Sequence, residues 1–267
     1  MTDKRYWANL STDDFRELDV SRAIAVLPVA AIEQHGPHLP VSVDRDIIEA
    51  VVEHTAPLLD DLEVLFLPTM AIGKSNEHIG YPGTLTFGAQ TLIAMWMDIG
   101  ASVHRAGVRK LMFINSHGGN VSVMDIVSRD LRARYGLRTA WSSWFNLYET
   151  AGLFDARELR HGVHGGFGET SIMLAIHPER VDMSKARDFY STGEDWAQRF
   201  EHLGVGGGNA KLGWLIEDLN AEGACGNAAA ASAEVGAQLL ESGAAGFRDL
   251  LIEFDSLDAD GLSRYPE

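Results

Sequence analysis

Four short apolar runs rich in β-forming residues punctuate positions 23–145, and the apolar positions between them fall at helical spacing. The runs are Ala23 to Val29, Val64 to Leu67, Leu111 to Ile114 and Thr139 to Phe145. Between the first two, Ile48, Val51, Val52 and Leu59 share one face of a helix predicted over 47–59. Leu92, Met95, Trp96, Ile99 and Val103 form a stripe at spacings of three and four, and Val123, Val127 and Leu131 repeat at four. Strands alternating with helices of this length predict an α/β fold with a mostly parallel sheet covered on both faces.

Beyond residue 146 the pattern is less regular. A polar stretch bearing Gly and His (148–168) leads into a short apolar helix, Thr170 to Ile176, and a Gly/Ala-rich turn at 221–232 precedes a last helix with Phe247, Leu250, Leu251 and Phe254 on one face. No internal repeat is visible and no linker marks a boundary, so residues 1–267 read as one domain.

Charge and cysteine usage narrow the function classes. With 22 Lys+Arg against 38 Asp+Glu the formal charge is −16, a field that repels nucleic acid and anionic membrane surface. Cys225 is the only cysteine; it permits no intrachain disulfide and reads as a small packed residue. Met1 to Leu10 is polar and lacks a signal-peptide core, and no apolar run reaches membrane-spanning length, so a cytoplasmic location is expected.

Each candidate motif follows one of the four runs. Glu33 and His35, in Glu33-Gln34-His35-Gly36-Pro37-His38, follow the first and precede Asp44. Ser75-Asn76-Glu77-His78 follows the second, His117-Gly118-Gly119-Asn120 the third, and Trp144 ends the fourth. Ligands of open parallel sheets bind outside the carboxyl ends of the strands, so these segments are expected to converge. Carboxylates mixed with imidazoles suit zinc, manganese, iron or cobalt. Asp44 has two oxygens and could bridge two ions about 3.5 Å apart. Glu33 and His117 could complete one ion, His35 and Glu169 the other.

Blander readings stand beside these. Glu33, His35 and Asp44 could lie in an exposed polar loop, and His117 could help cap the following helix with Ser116 and Asn120. His164, in His164-Gly165-Gly166-Phe167-Gly168-Glu169, is the candidate general acid/base, with a turn-anchoring histidine as its alternative. Ser75, Glu77 and His78 could contact substrate, or Glu77 and His78 could form a surface charge pair. Trp141 and Trp144 are core candidates, although Trp144 lies at the productive edge. His38, His54, His104 and His177 read as surface or packing histidines. Tyr81-Pro82-Gly83-Thr84 is a turn signal, and Gly206-Gly207-Gly208 lacks the neighbours of a phosphate loop and reads as flexible loop.

Together these residues resemble the creatininase (creatinine amidohydrolase) family. Glu33 to His38 with Asp44 resembles its first metal motif, and Ser75 to His78 through Tyr81 to Thr84 its S-x-E-H-x-x-F-P-G-T segment. Asn115 to Asn120 resembles the second metal motif, and His164 to Gly166 through Glu169-Thr170-Ser171 the third. The match runs in order over roughly residues 20–182. The resemblance implies a three-layer α/β/α sandwich and two divalent metal ions, zinc first, with manganese or iron as alternatives. It also implies a homo-oligomer, commonly a hexamer. It places one metal at Glu33, Asp44 and His117 and the other at His35 and Asp44, with His164 as catalytic histidine and Trp144 covering the substrate.

The chain departs from the family pattern at three places. Gly119 stands where creatininase has a ligand glutamate, which makes Glu169 the expected replacement. Val163 and Arg160 stand where creatininase has a glutamate and a tryptophan, so creatinine itself is not the expected substrate. The expected activity is metal-dependent hydrolysis of a C–N bond in a small cyclic amide or formamide. Water activated by the metals would attack the carbonyl carbon, and His164 would protonate the leaving group. Other branches of the family deformylate a formamidopyrimidine, open a cyclic inositol-derived ketone, or cleave a precursor peptide. A non-catalytic small-molecule-binding domain on the same scaffold is the competing class.

Overall fold

A computed structural model describes residues 4–20, 22–206 and 209–257. After a short helix α1 (Thr12–Glu17), the chain alternates β1 (Ile24–Val29), α2 (Val43–Thr55), β2 (Val64–Phe66), α3 (Ala89–Arg105), β3 (Lys110–Asn115), α4 (Val121–Tyr135) and β4 (Arg138–Ser143). These strands form one parallel sheet in the order β2-β1-β3-β4. Ile24 pairs with Val64 on one side and with Lys110 on the other, and Lys110 pairs with Arg138.

Every residue of β1 and β3 is buried, because successive side chains feed two separate cores. Ile24, Val26, Phe66, Met112 and Ile114 face one way. They pack against α2, α6 (Phe167–Ile176) and α9 (Ala233–Ser256) through Ile48, Val51, Ile172, Met173, Leu240 and Phe247. Ala25, Leu27, Leu65, Leu111 and Phe113 face the other way, against Leu92, Trp96 and Val103 of α3 and Val123, Val127 and Leu131 of α4. Each such large apolar side chain contributes about 1.5–3 kcal/mol on burial. The result is the three-layer α/β/α sandwich with a mostly parallel central sheet.

Several element bounds differ from those the sequence pattern predicts. Helix α2 begins at Val43, ahead of the apolar stripe, because its first turn carries the polar Asp44 and Asp46, which suit a helix N-terminus. Helix α6 likewise begins at Phe167, so Glu169 sits in its first turn rather than in the Gly-rich turn before it. Strand β4 ends at Ser143, and Trp144 opens a 3-10 turn instead of ending the strand.

The polar stretch after residue 146 holds a further helix, α5 (Ala156–His161). Beyond α6 come β5 (Asp188–Phe189), α7 (Thr192–Arg199), β6 (Leu203–Gly204), β7 (Ala210–Lys211), α8 (Ile216–Leu219) and β8 (Gly226–Asn227). They are too short to carry a readable period. In the Gly206-Gly207-Gly208 run, Gly207 and Gly208 lie outside the described residues. Among the described residues no helix is long and apolar enough to cross a membrane.

Candidate active site

The chain steps from β1 out to the edge strand β2 and then back across to β3, so the strand order reverses between β1 and β3. A crevice opens at the carboxyl ends there. The loop after β1 delivers Glu33 and His35, and the turn after β3 delivers His117. The loop after β2 brings Glu77 and His78, α2 brings Asp44, and the segment before α6 brings His164, with Glu169 on α6 itself. All five candidate ligands meet. Glu33, His35, Asp44 and His117 are each at most 4% exposed, which rules out the exposed-loop reading.

The site has two halves that share Asp44. Its Oδ2 lies 3.6 Å from His117 Nδ1, and its Oδ1 lies 3.8 Å from His35 Nε2. Glu33 Oε1 adds to the first half at 3.1 Å from His117 Nδ1, and Glu169 Oε1 to the second at 3.9 Å from His35 Nε2.

Hydrogen bonds on the far side of each ring aim the lone pairs inward. His117 Nε2 donates to the Lys74 carbonyl at 2.8 Å, which leaves Nδ1 facing the carboxylates. His35 Nδ1 donates to the Glu33 carbonyl at 3.0 Å, which leaves Nε2 facing them. Such outer partners commonly fix the tautomer of a metal-ligating histidine.

Electrostatics describe a crowded, dry cluster. Burial alone would raise the Glu33 carboxyl, but His117 at hydrogen-bond distance, then His78 and His164, carry it well below the usual range. Asp44 goes well above that range, through burial and then the charge of Glu33. His117 is lowered by burial yet held up to about 10 by Glu33, Asp44 and Glu77. Burial brings His35 and His164 down to about 4, and His78 to about 2.

The residues fit a metal pair on an observation independent of any ligand. Glu33 Oε2, His35 Nε2 and Asp44 Oδ2 are all buried without a hydrogen-bond partner. Native proteins rarely leave buried polar atoms unpaired without a reason, and a missing ion is one such reason. Donor atoms of Glu33, His35 and Asp44, and separately of His35, His164 and Glu169, lie within 4.8 Å of one another.

Above the cluster lies a cavity of about 440 Å³. Glu77, His78 and His164 reach it from one side, and Trp144, Tyr148, Phe154 and Trp214 wall it with apolar surface. Among the described residues no Lys or Arg side chain lines it. The Trp214 and His78 rings lie edge to face, with centroids 6.5 Å apart. Trp214 and Phe154 carried no signal in the sequence, since neither lies in a periodic segment or beside a chemical motif. Ser75 is not at this wall: it is fully buried behind His117, with Oγ 3.3 Å from Nε2. Nor does Asn120 cap α4 with its side chain. Its amide binds Lys74 N, the Ala30 carbonyl and Asn115, while Ser116 Oγ donates to the Asp44 carbonyl.

The His164 segment is held by a residue the sequence did not single out. Glu158 of α5 is buried, and its carboxylate accepts from Phe167 N at 2.7 Å and Asn227 N at 2.8 Å. It thus ties the start of α6 to β8. Cys225 N also donates to the His164 carbonyl at 2.7 Å, and the Cys225 side chain is buried as a packed residue.

The family model described as "Creatininase: Creatinine amidohydrolase" matches residues 8–251. The chain belongs to the creatininase family. A mycofactocin precursor peptide peptidase from Mycolicibacterium smegmatis is 32% identical over 179 residues. That match spans 65% of this chain and 66% of the relative, just under two thirds of its length. A creatinine amidohydrolase from Pseudomonas putida is 31% identical over 205 residues, 70% of this chain and 74% of that one. Among solved structures, a creatininase variant of zinc–zinc type superposes with a TM-score of 0.74 at 24% identity, covering 95% of this chain and 99% of that one.

The departures from the creatininase pattern have structural counterparts. A Cβ at Gly119 would come within 2.5 Å of Glu77 Oε1 and collide with the Lys74 carbonyl, so a glutamate has no room there. Val163 is 40% exposed on the cavity rim, and Arg160 points to solvent off the cavity wall.

Proposed function

We infer that this creatininase-family protein is a metal-dependent amidohydrolase that cleaves the C–N bond of a small cyclic amide or formamide. The observation that carries the reading is the set of three buried, unpartnered donor atoms on Glu33, His35 and Asp44 at the floor of an apolar-walled cavity. Glu33, Asp44 and His117 would hold one divalent ion, and His35, Asp44 and Glu169 the other. Mixed carboxylate and imidazole donors suit zinc, with manganese or iron as alternatives. Such ions supply Lewis acidity, which acidifies water and polarises a carbonyl.

The remaining chemistry belongs to the chain. His164 Nε2 donates to the Gln34 carbonyl at 2.6 Å, so its Nδ1 carries the lone pair that faces the cluster. With burial holding the ring neutral at pH 7, Nδ1 accepts a proton from the attacking water and delivers it to the leaving nitrogen. Glu77, His78 and Trp144 contact the substrate from the cavity wall. Trp144, Tyr148, Phe154 and Trp214 give the cavity an apolar wall, and among the described residues no lysine or arginine reaches it to pair a substrate carboxylate or phosphate.

A second reading, a peptidase acting on a precursor, is favoured by the 32% identity to proteins of that activity. A panel of lactams, formamides and short peptides, assayed with zinc or manganese and again after chelation, separates the two. Metal-dependent turnover of lactams or formamides supports the amidohydrolase reading. Turnover confined to peptides selects the second reading, and no turnover of any amide by the metal-loaded protein overturns both.

A further inference from the structure

Gln34 lies between the two residues that define the first motif, is 6% exposed, and has every hydrogen-bonding group engaged. Its backbone N donates to Thr84 Oγ1 at 3.1 Å, and its carbonyl accepts from His164 Nε2 at 2.6 Å. In its side chain, Oε1 accepts from Gly36 N at 2.9 Å, while Nε2 lies 2.8 Å from the Gly223 carbonyl and 2.9 Å from His78 Nδ1.

This pattern fixes the amide orientation. Flipping it would set the amide oxygen against the Gly223 carbonyl and the NH₂ against the Gly36 N–H. Gly223, at φ +81°, is also where the chain has no side chain, and a Cβ there would collide with Oε1.

The proton inventory then leaves no freedom. Gln34 Nε2 has two hydrogens and three neighbours, the third being His164 Nε2 at 3.3 Å. That nitrogen is already a donor to the Gln34 carbonyl and cannot accept. The two hydrogens therefore go to the Gly223 carbonyl and to His78 Nδ1. With Nδ1 accepting, neutral His78 carries its proton on Nε2, which lies 3.5 Å from Glu33 Oε1. His164 has the same tautomer but the opposite presentation, with its bare Nδ1 lying 3.7 Å from the same oxygen. The two rings stack at 4.1 Å and 29°.

We propose that Gln34 is a positioning residue which, through its amide and its carbonyl, makes His78 a hydrogen-bond donor to Glu33 and His164 a lone pair facing the cleft. Its effect on turnover rests on the amidohydrolase reading; the tautomers do not. It also removes His78 as a metal ligand, although donor atoms of Glu33, His78 and His164 lie within 4.8 Å of one another. A nitrogen that carries a proton cannot ligate.

The test is the imidazole ¹⁵N spectrum of the zinc-loaded full chain, with signals assigned by their loss in His78→Gln and His164→Gln. Both rings are expected as Nε2–H tautomers in the wild type. In Gln34→Glu the new carboxylate can only accept, so His78 switches to Nδ1–H while His164, held by the backbone carbonyl, does not change. Turnover of a hydrolysed amide falls about 10–100-fold with zinc content unchanged. A wild-type His78 that is Nδ1–H or zinc-bound overturns the proposal, as does a His78 tautomer indifferent to the substitution. The wild-type spectrum decides the point even if the variant does not fold. Absence of amide hydrolysis would remove the functional reading without touching the tautomers.

Discussion

Glu77 fills the space that a side chain at Gly119 would need: a Cβ there would lie 2.5 Å from Glu77 Oε1. The same Oε1 lies 3.5 Å from His117 Nε2, so Glu77 braces that ring from the side opposite Glu33. The same Cβ would also collide with the Lys74 carbonyl, which is backbone and cannot swing away, so position 119 has no room for a side chain while the 74–77 loop keeps this path. Glu169 is the carboxylate that faces His35 across the second half.

Restoring the family glutamate in Gly119→Glu should thus harm the protein rather than improve it. Overpacking costs about 1–3 kcal/mol. The expected outcome is a lower melting temperature with zinc content no higher than wild type, read by calorimetry and elemental analysis. A variant that melts no lower and binds zinc at least as tightly would show that the pocket has room.

Asp44→Asn should empty both halves, because Oδ1 and Oδ2 face different histidines. Elemental analysis is expected to find less metal than in Glu33→Gln or Glu169→Gln, each of which alters one half. Full occupancy in the Asp44 variant would remove the bridging assignment.

The metal-free protein should lose stability as pH rises from 6.5 towards 10. His117 in the folded chain is raised from 6.5 to about 10, so its contribution is complete below 6.5 and lost as pH climbs through 10. Glu33 is depressed below 4.5, so its contribution falls away only in acid, outside this window. Zinc binding needs the neutral ring, so the extra stability given by zinc should widen over the same interval. Thermal melts of stripped and zinc-loaded protein at several pH values check this. A stripped protein that melts at one temperature from pH 6.5 to 10 would contradict it.

Glu158→Ala should destabilise the fold by about 1–3 kcal/mol, since it removes the acceptor of two partly buried backbone N–H groups, on Phe167 and Asn227. Urea unfolding measures the loss, and a change below 1 kcal/mol would mean that water or another acceptor takes over.

Much of this was legible in the sequence because the signals were local. The β1 and β3 runs are apolar throughout since each strand feeds two cores, and the chemistry-bearing residues sit directly after them. The starts of α2 and α6 were not legible, because Asp44 and Glu169 belong to the site rather than to the apolar faces that reveal a helix. Gln34 stood inside the recognised motif, yet an amide has no signature until its partners His78, His164 and Gly223 come together from distant segments. Ser75 looked equivalent to Glu77 in the motif, and only the packing shows one behind His117 and the other at the cavity. Trp214 and Glu158 lie in stretches with no period, where tertiary contacts alone give them a role.

The central claim is a two-ion hydrolytic site, and a zinc titration of the stripped protein tests it most directly. Hydrolysis of the best amide substrate should be absent without metal, return as zinc is added, and level off at two zinc per chain. Turnover by the stripped protein, or full activity reached at one zinc per chain, would contradict the account.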